Sequence, residues 1–243
     1  KDKQFDKAIV AYKVVLKNEQ NEFSEESLNK LSQIYLSKED VTDALPLLAR
    51  LEQEAYTPEN ILYAQSNLMK GYYETDAFDL AIEYAKKVLL KDKLDSAVEY
   101  DAKTIIARAS FKTDDLLTAE EFYTEVERNA TGELKAEAIY YSAFFKNENK
   151  EFAESNTIIQ KLIADYSAYK YWGVKSYVTM AKNYYGLKDV YQATYILENI
   201  ITNFKQFEDV IEEAESELFK IKQNEAKTNT SVTPQKKEIS KKE

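Results

Sequence analysis

Carboxylates are the side chains in this sequence best suited to acid–base chemistry, because it contains 43 Asp and Glu but no His and no Cys. That composition excludes imidazole catalysis, thiolate nucleophiles, disulfides and the usual zinc sites. Adjacent acidic residues occur at Asp114-Asp115, Glu120-Glu121 and Glu212-Glu213. Neighbours on a helix point about 100° apart, so such a pair does not flank one substrate as glycosidase carboxylates do. We interpret these pairs as solvated helix faces.

Glycine spacing excludes a second kind of chemistry. Gly71, Gly132, Gly173 and Gly186 are never closer than 13 residues, whereas a phosphate-binding loop needs clustered glycines whose amides approach the anion. No glycine flanks a serine in the arrangement that a serine nucleophile needs. We therefore expect a protein that is not an enzyme and that binds no cofactor and no metal.

Composition and charge limit the fold and the partners. With only 4 Gly and 3 Pro, 44% apolar and 31% charged residues, the chain is predicted to be all-α. A net charge of −10 with only three arginines argues against a nucleic-acid partner. No apolar run of about 18 residues is present, so we expect no direct membrane insertion.

Small residues recur along the chain at nearly constant intervals of 36, 37, 38, 36 and 38 residues. This column, which we call the alanine column, contains Ala8, Ala44, Ala81, Ala119, Ser155 and Ala193. Four residues later stand Tyr12, Leu48, Ala85, Tyr123, Ile159 and Leu197, and nine residues before the column stand Tyr35, Tyr72, Ser110, Lys146 and Tyr184. Spacings of three and four mark one helix face, and a period near 36 indicates stacked helix pairs.

These columns resemble the tetratricopeptide repeat (TPR), although the period is longer than usual and the closing proline is missing. The resemblance covers residues 1–204 and implies a right-handed superhelical solenoid of antiparallel helix pairs. Lys146 and Ser155 depart from the pattern, with Phe144 and Phe145 as candidates for the aromatic role there. Predicted helices lie near 4–18, 25–38, 41–54, 58–74, 77–91, 95–112, 115–129, 132–148, 151–167, 171–187 and 190–204.

The ends of the chain and two prolines give further predictions. Residues 205–225 are predicted to form a capping helix, and 226–243 a disordered tail. Lys1 falls inside a repeat, so we expect the chain to be the C-terminal part of a longer array. Thr57 is expected to cap a helix beginning at Pro58. Pro46 should either kink its helix or delay the start of that helix to about Ala44.

The resemblance also implies where a partner binds, because in TPR proteins four positions of each first helix line the concave groove. At these positions the sequence has aromatic residues interspersed with cations: Tyr63, Lys70, Tyr73, Thr104, Arg108, Phe111, Tyr140, Phe144, Lys175, Lys182 and Tyr185. The carboxylate clamp for chaperone C-termini is not matched. The leading hypothesis is a non-catalytic scaffold that binds a peptide or helix of another protein in this groove. The alternative is a structural spacer that self-associates through its convex surface and its ends.

Location is predicted from a looser likeness. The last repeats look similar to long TPR proteins of the Bacteroidetes cell envelope. The likeness rests on the segment 171–177, on Asn183-Tyr184-Tyr185 and on Gln192-Ala193. We therefore expect the bacterial cell envelope or periplasm, with the cytoplasm as the alternative, and participation in a larger assembly.

Overall fold

A computed structural model describes residues 2–17 and 21–232, which form helices joined by short turns and no strand. The helices in chain order are α1 (Asp2–Val15), α2 (Ser24–Ser37), α3 (Val41–Glu54), α4 (Pro58–Glu74), α5 (Phe78–Leu89), α6 (Ser96–Lys112), α7 (Leu116–Asn129), α8 (Gly132–Glu148), α9 (Phe152–Asp165), α10 (Lys170–Gly186), α11 (Val190–Asn203) and α12 (Glu208–Val232). Nearly every bound lies within three residues of the predicted one.

The chain divides into two compact units, residues 1–128 and 129–243. In the first unit α2 packs against α3, α3 against α4, α4 against α5 and α5 against α6. The first helices of successive pairs also touch, α2 with α4 and α4 with α6. In the second unit α10 packs against α8, α9, α11 and α12. Within each unit, neighbouring helix pairs therefore pack on one another, which is the packing of a repeat solenoid.

The alanine column is buried where the helices of each pair meet. Ala44, Ala81, Ala119, Ser155 and Ala193 all have 0% of their surface exposed. The register of the fifth repeat is therefore right, although Ser155 departs from alanine, and Phe145 supplies the buried ring beside Lys146. Ala8 on α1 is only half-buried.

The turn inside each helix pair is built the same way five times. The residue five positions before the alanine column has a positive φ of 57° to 68° in Glu39, Asp76, Asp114, Lys150 and Lys188. The next residue donates its backbone N–H to the carbonyl nine positions before the column, as in the bond from Ala77 to Tyr72 of 2.8 Å. This is the Schellman motif, here formed without the glycine that usually takes the left-handed position.

Two predictions about helix ends need comment. Helix α3 begins at Val41 and contains Pro46, so the delayed start is wrong. The carboxylate of Asp40 accepts the backbone N–H of Asp43 and starts the helix. Helix α12 continues to Val232, so 226–232, which the sequence assigned to the tail, is helical. The remainder of that tail, 233–243, lies outside the described residues.

Candidate interaction surfaces

The predicted groove positions of the first unit lie on α4 and α6. Lys70 Nζ is 2.5 Å from Asp101 Oδ2, and these side chains are 46% and 45% exposed. The ring of Tyr73, on the next turn of α4, lies 5.7 Å from the ring of Phe78 and is half-buried. The first-helix face of this unit therefore exposes an ion pair, with a half-buried aromatic ring one turn further along α4.

The other predicted positions of the first unit are less accessible. Thr104 is buried, and its hydroxyl donates to the Tyr100 carbonyl at 2.9 Å. Burial raises the pKa of the half-buried Tyr63, with a hydrogen bond to Ser32 opposing the shift. Arg108 and Phe111 are half-buried on α6. Thr104 serves helix packing and offers little to a partner.

In the second unit two aromatic residues of the predicted groove, Tyr140 and Phe144, pack against rings outside the predicted set. Tyr140 is buried, with its ring centroid 5.0 Å from that of Tyr141 and 5.5 Å from that of Trp172. Burial raises the pKa of Tyr140 well above its usual value. Phe144 is half-buried beside Tyr141. Tyr140 is thus a core residue of this unit, which explains why a large ring is tolerated in that column.

Helix α12 engages the polar groove positions of α10. Lys182 Nζ is 2.7 Å from Glu213 Oε1, and Lys175 Nζ is 3.6 Å from Asp209 Oδ2. The Tyr185 hydroxyl donates to Glu225 at 3.4 Å. The three lysines predicted to face a partner, Lys70, Lys175 and Lys182, are therefore each paired with a carboxylate of the first helix that follows. Glu213 stands 31 residues after Lys182, which is also the separation of Lys70 and Asp101.

Glu25 links α2 to the start of α4, a contact between repeats that has no signature in the sequence. Its carboxylate accepts the backbone N–H groups of Tyr56 and Thr57, each at 3.2 Å, the Asn60 amide at 2.7 Å, and the Thr57 hydroxyl. Partial burial opposes ionisation, but these hydrogen bonds lower the pKa of Glu25 to about 2. The prediction that Thr57 caps its own helix is therefore wrong, because its hydroxyl bonds Glu25 instead. The cap comes from the preceding repeat.

A buried amide network joins α8, α9 and α10. Asn183 Nδ2 donates to Ser155 Oγ and to Asn156 Oδ1, both at 2.8 Å, and Asn183 Oδ1 accepts from Asn147 Nδ2 at 2.7 Å. Ser155 Oγ in turn donates to the Ala143 carbonyl at 2.7 Å. The departure of Ser155 from alanine was the sequence signal for this network, because a hydroxyl in a tightly packed column needs a polar partner.

The outer face of α11 carries a pair of exposed tyrosines. Tyr191 is 73% and Tyr195 54% exposed, and their rings stack 6.2 Å apart at 15°. A pocket of about 250 Å³ opens beside Tyr195 and is lined by Tyr177, Tyr195, Ile196, Asn199, Ile200 and Phe204. An aromatic pair next to an apolar pocket is the kind of surface that protein interfaces use.

Neither a metal centre nor a membrane span is found in the part of the chain that the structure describes. Over 2–17 and 21–232, no three acidic side chains are grouped so that they could hold a metal ion. None of the helices in the same ranges is both long enough and apolar enough to cross a bilayer.

Three solved structures have a similar fold. The MamA protein is 17% identical, with a TM-score of 0.56 over 74% of this chain and 91% of that one. A putative kinesin light chain with nearly identical TPR-like repeats, from Podosopora anserina, is 16% identical with a TM-score of 0.51 over 74% and 95%. A tetratricopeptide repeat protein from Parabacteroides merdae is 12% identical with a TM-score of 0.50 over 88% and 93%.

The sequence matches no protein-family model and no curated protein. At such low identity the structural likeness concerns the fold alone. It confirms the tetratricopeptide-type, all-helical solenoid predicted from the alanine column.

Proposed function

We propose that this protein is a non-catalytic scaffold that binds a segment of another protein along the first-helix face of α4 and α6. The TPR-type fold supports the general role, since such folds typically serve protein interaction. The observation that carries the finer proposal is the half-exposed Lys70–Asp101 pair beside the ring of Tyr73.

Replacing one carboxylate of an exposed ion pair by another changes the free energy little. Pairs at the surface contribute about 0 to 1 kcal/mol, so a partner carboxylate can replace Asp101 at Lys70 with little loss. The neighbouring tyrosine ring supplies apolar contact area for an anchor side chain. An extended peptide or a helix with an acidic residue near an apolar one fits this arrangement.

The proposal is tested with peptides selected from a random displayed library on the purified chain, and measured by fluorescence anisotropy. We expect Tyr73→Ala to weaken binding by about 1 to 3 kcal/mol, a factor of about 5 to 150. Lys70→Glu should weaken it as well, and Arg108→Glu should slow association at low salt. Circular dichroism checks that each variant is folded.

Tyr195→Ala, on the outer face of α11, is the matched control, because it also removes a tyrosine ring but lies on another surface. If the α4 and α6 variants keep full peptide binding while Tyr195→Ala loses it, the proposal is contradicted and the binding site lies on the second helices. Location in the bacterial cell envelope stays a prediction, which fractionation of the source cells would test.

A further inference from the structure

The outer face of α11 differs from the outer faces of the other second helices. Three positions of each second helix lie on its outer face: one is two residues before the alanine column, and the others are two and six residues after it. On the other second helices, these positions hold mostly charged or small residues. They are Asp79, Glu83 and Lys87 on α5, and Ala153, Thr157 and Lys161 on α9. On α11 the same positions hold Tyr191, Tyr195 and Asn199. We call these three residues, with the adjoining pocket, the α11 patch.

Charge is nearly absent from the α11 patch. Helix α11 has a single charged residue, Glu198, and its carboxylate lies 2.9 Å from Lys222 Nζ on α12. The whole chain carries a net charge of −10, so two copies repel each other over most orientations. The uncharged patch is a surface on which two copies meet without bringing like charges together.

The α11 patch is also complementary to itself. Tyr191 projects from the first turn of the helix, and the pocket lies towards the other end, around Asn199 and Phe204. Eight residues separate Tyr191 from Asn199, which is about 12 Å along a helix. When two α11 helices meet antiparallel about a two-fold axis near Tyr195, each Tyr191 ring faces the pocket of the other copy. Such reciprocal contacts define an isologous interface.

We propose that the α11 patch binds a second copy of this chain and forms a two-fold symmetric dimer, with Tyr191 of each copy in the pocket of the other. The pocket of about 250 Å³ is large enough for one aromatic side chain. The patch consists of three side chains and one pocket, so we expect a weak dimer. It is independent of peptide binding by α4 and α6, and either can fail without the other.

Sedimentation equilibrium of the 243-residue chain, at concentrations up to about 1 mM, tests the proposal. We expect a monomer–dimer equilibrium whose dissociation constant rises about tenfold or more in Tyr191→Ala. Tyr191→Glu, which would place a carboxylate against the apolar pocket, should abolish the dimer. Leu117→Glu is the matched control, because Leu117 occupies the same column on α7 and is 82% exposed; it should dimerise normally.

The antiparallel register has its own test, since the chain contains no cysteine. Oxidation of the double variant Tyr191→Cys with Asn199→Cys should give covalent dimers, while Tyr191→Cys alone should give far fewer. The two positions are too far apart on one helix to join within a copy. A wild-type chain that stays monomeric at 1 mM, or a dimer that survives Tyr191→Glu, overturns the proposal.

Discussion

At the residue scale, Ser155 and Asn183 show how a departure from a repeat pattern is accommodated. The hydroxyl of Ser155 bonds the Ala143 carbonyl and receives the Asn183 amide, and both residues are 0% exposed. Burying a polar group without a partner costs about 1 to 3 kcal/mol. The Ala143 carbonyl and the Asn183 amide together satisfy the buried hydroxyl of Ser155, so the contributions of Ser155 and Asn183 to stability are coupled.

A double-mutant cycle measures this coupling. We expect Ser155→Ala to lower the free energy of unfolding by about 1 kcal/mol and Asn183→Ala by about 1 to 3 kcal/mol. The double variant should lose less than the sum, because each single change leaves the partner unsatisfied. Urea denaturation gives the three values. Asn203→Ala, at an exposed amide of α11, is the control, and strictly additive losses would contradict the network.

At the element scale, the helices were largely predictable because they depend on spacing within one repeat. What could not be predicted depends on the next repeat. The column that holds Lys70 and Lys182 was assigned to a binding face, but each lysine is paired with a carboxylate about 31 residues later. Cap residues from another helix, such as Glu25 for α4, likewise have no local signature. The end of α12 was missed because Ala226 and Lys227 favour helix without adding to a core.

The intra-pair turns give a prediction at this scale. Asp76 has a φ of 57°, a conformation that costs an L-residue about 1 to 2 kcal/mol and glycine little. We expect Asp76→Gly to raise the free energy of unfolding by about 0.5 to 1 kcal/mol, after the larger entropy of an unfolded glycine is deducted. Thermal and urea denaturation measure it. Asp92→Gly, at an exposed position outside the positive-φ set, should be neutral or destabilising, and a similar gain there would refute the explanation.

The link from Glu25 to α4 predicts a pH dependence. The folded-state pKa of about 2 lies below the ordinary value of 4.5, so the carboxylate stabilises the fold above pH 4.5. That contribution is lost as the pH falls from about 4.5 towards 2. We expect Glu25→Gln to be less stable than the wild type at pH 7 and to differ little from it at pH 2. A difference that does not change with pH would exclude the ionised cap.

At the scale of the whole molecule, packing between neighbouring helices predicts that a destabilising substitution weakens only the helices near it. Ala81→Leu should overpack the contact of α4, α5 and α6 and cost about 1 to 3 kcal/mol. Hydrogen exchange should then accelerate in those helices and hardly change in α10 to α12, as in a quasi-one-dimensional array. Ala97→Leu, at an exposed position of α6, is the control. Uniform acceleration along the chain would show that both units unfold as one.

The amide network of α8, α9 and α10 also bears on how such arrays evolve. Repeat arrays commonly grow by duplication, which requires that any unit can stand next to any other. Asn147 and Asn183 belong to successive helix pairs and share a hydrogen bond, so neither pair is complete beside an arbitrary neighbour. Copies inserted between α9 and α10 would leave buried amides without partners. This junction is therefore expected to be inherited as a block.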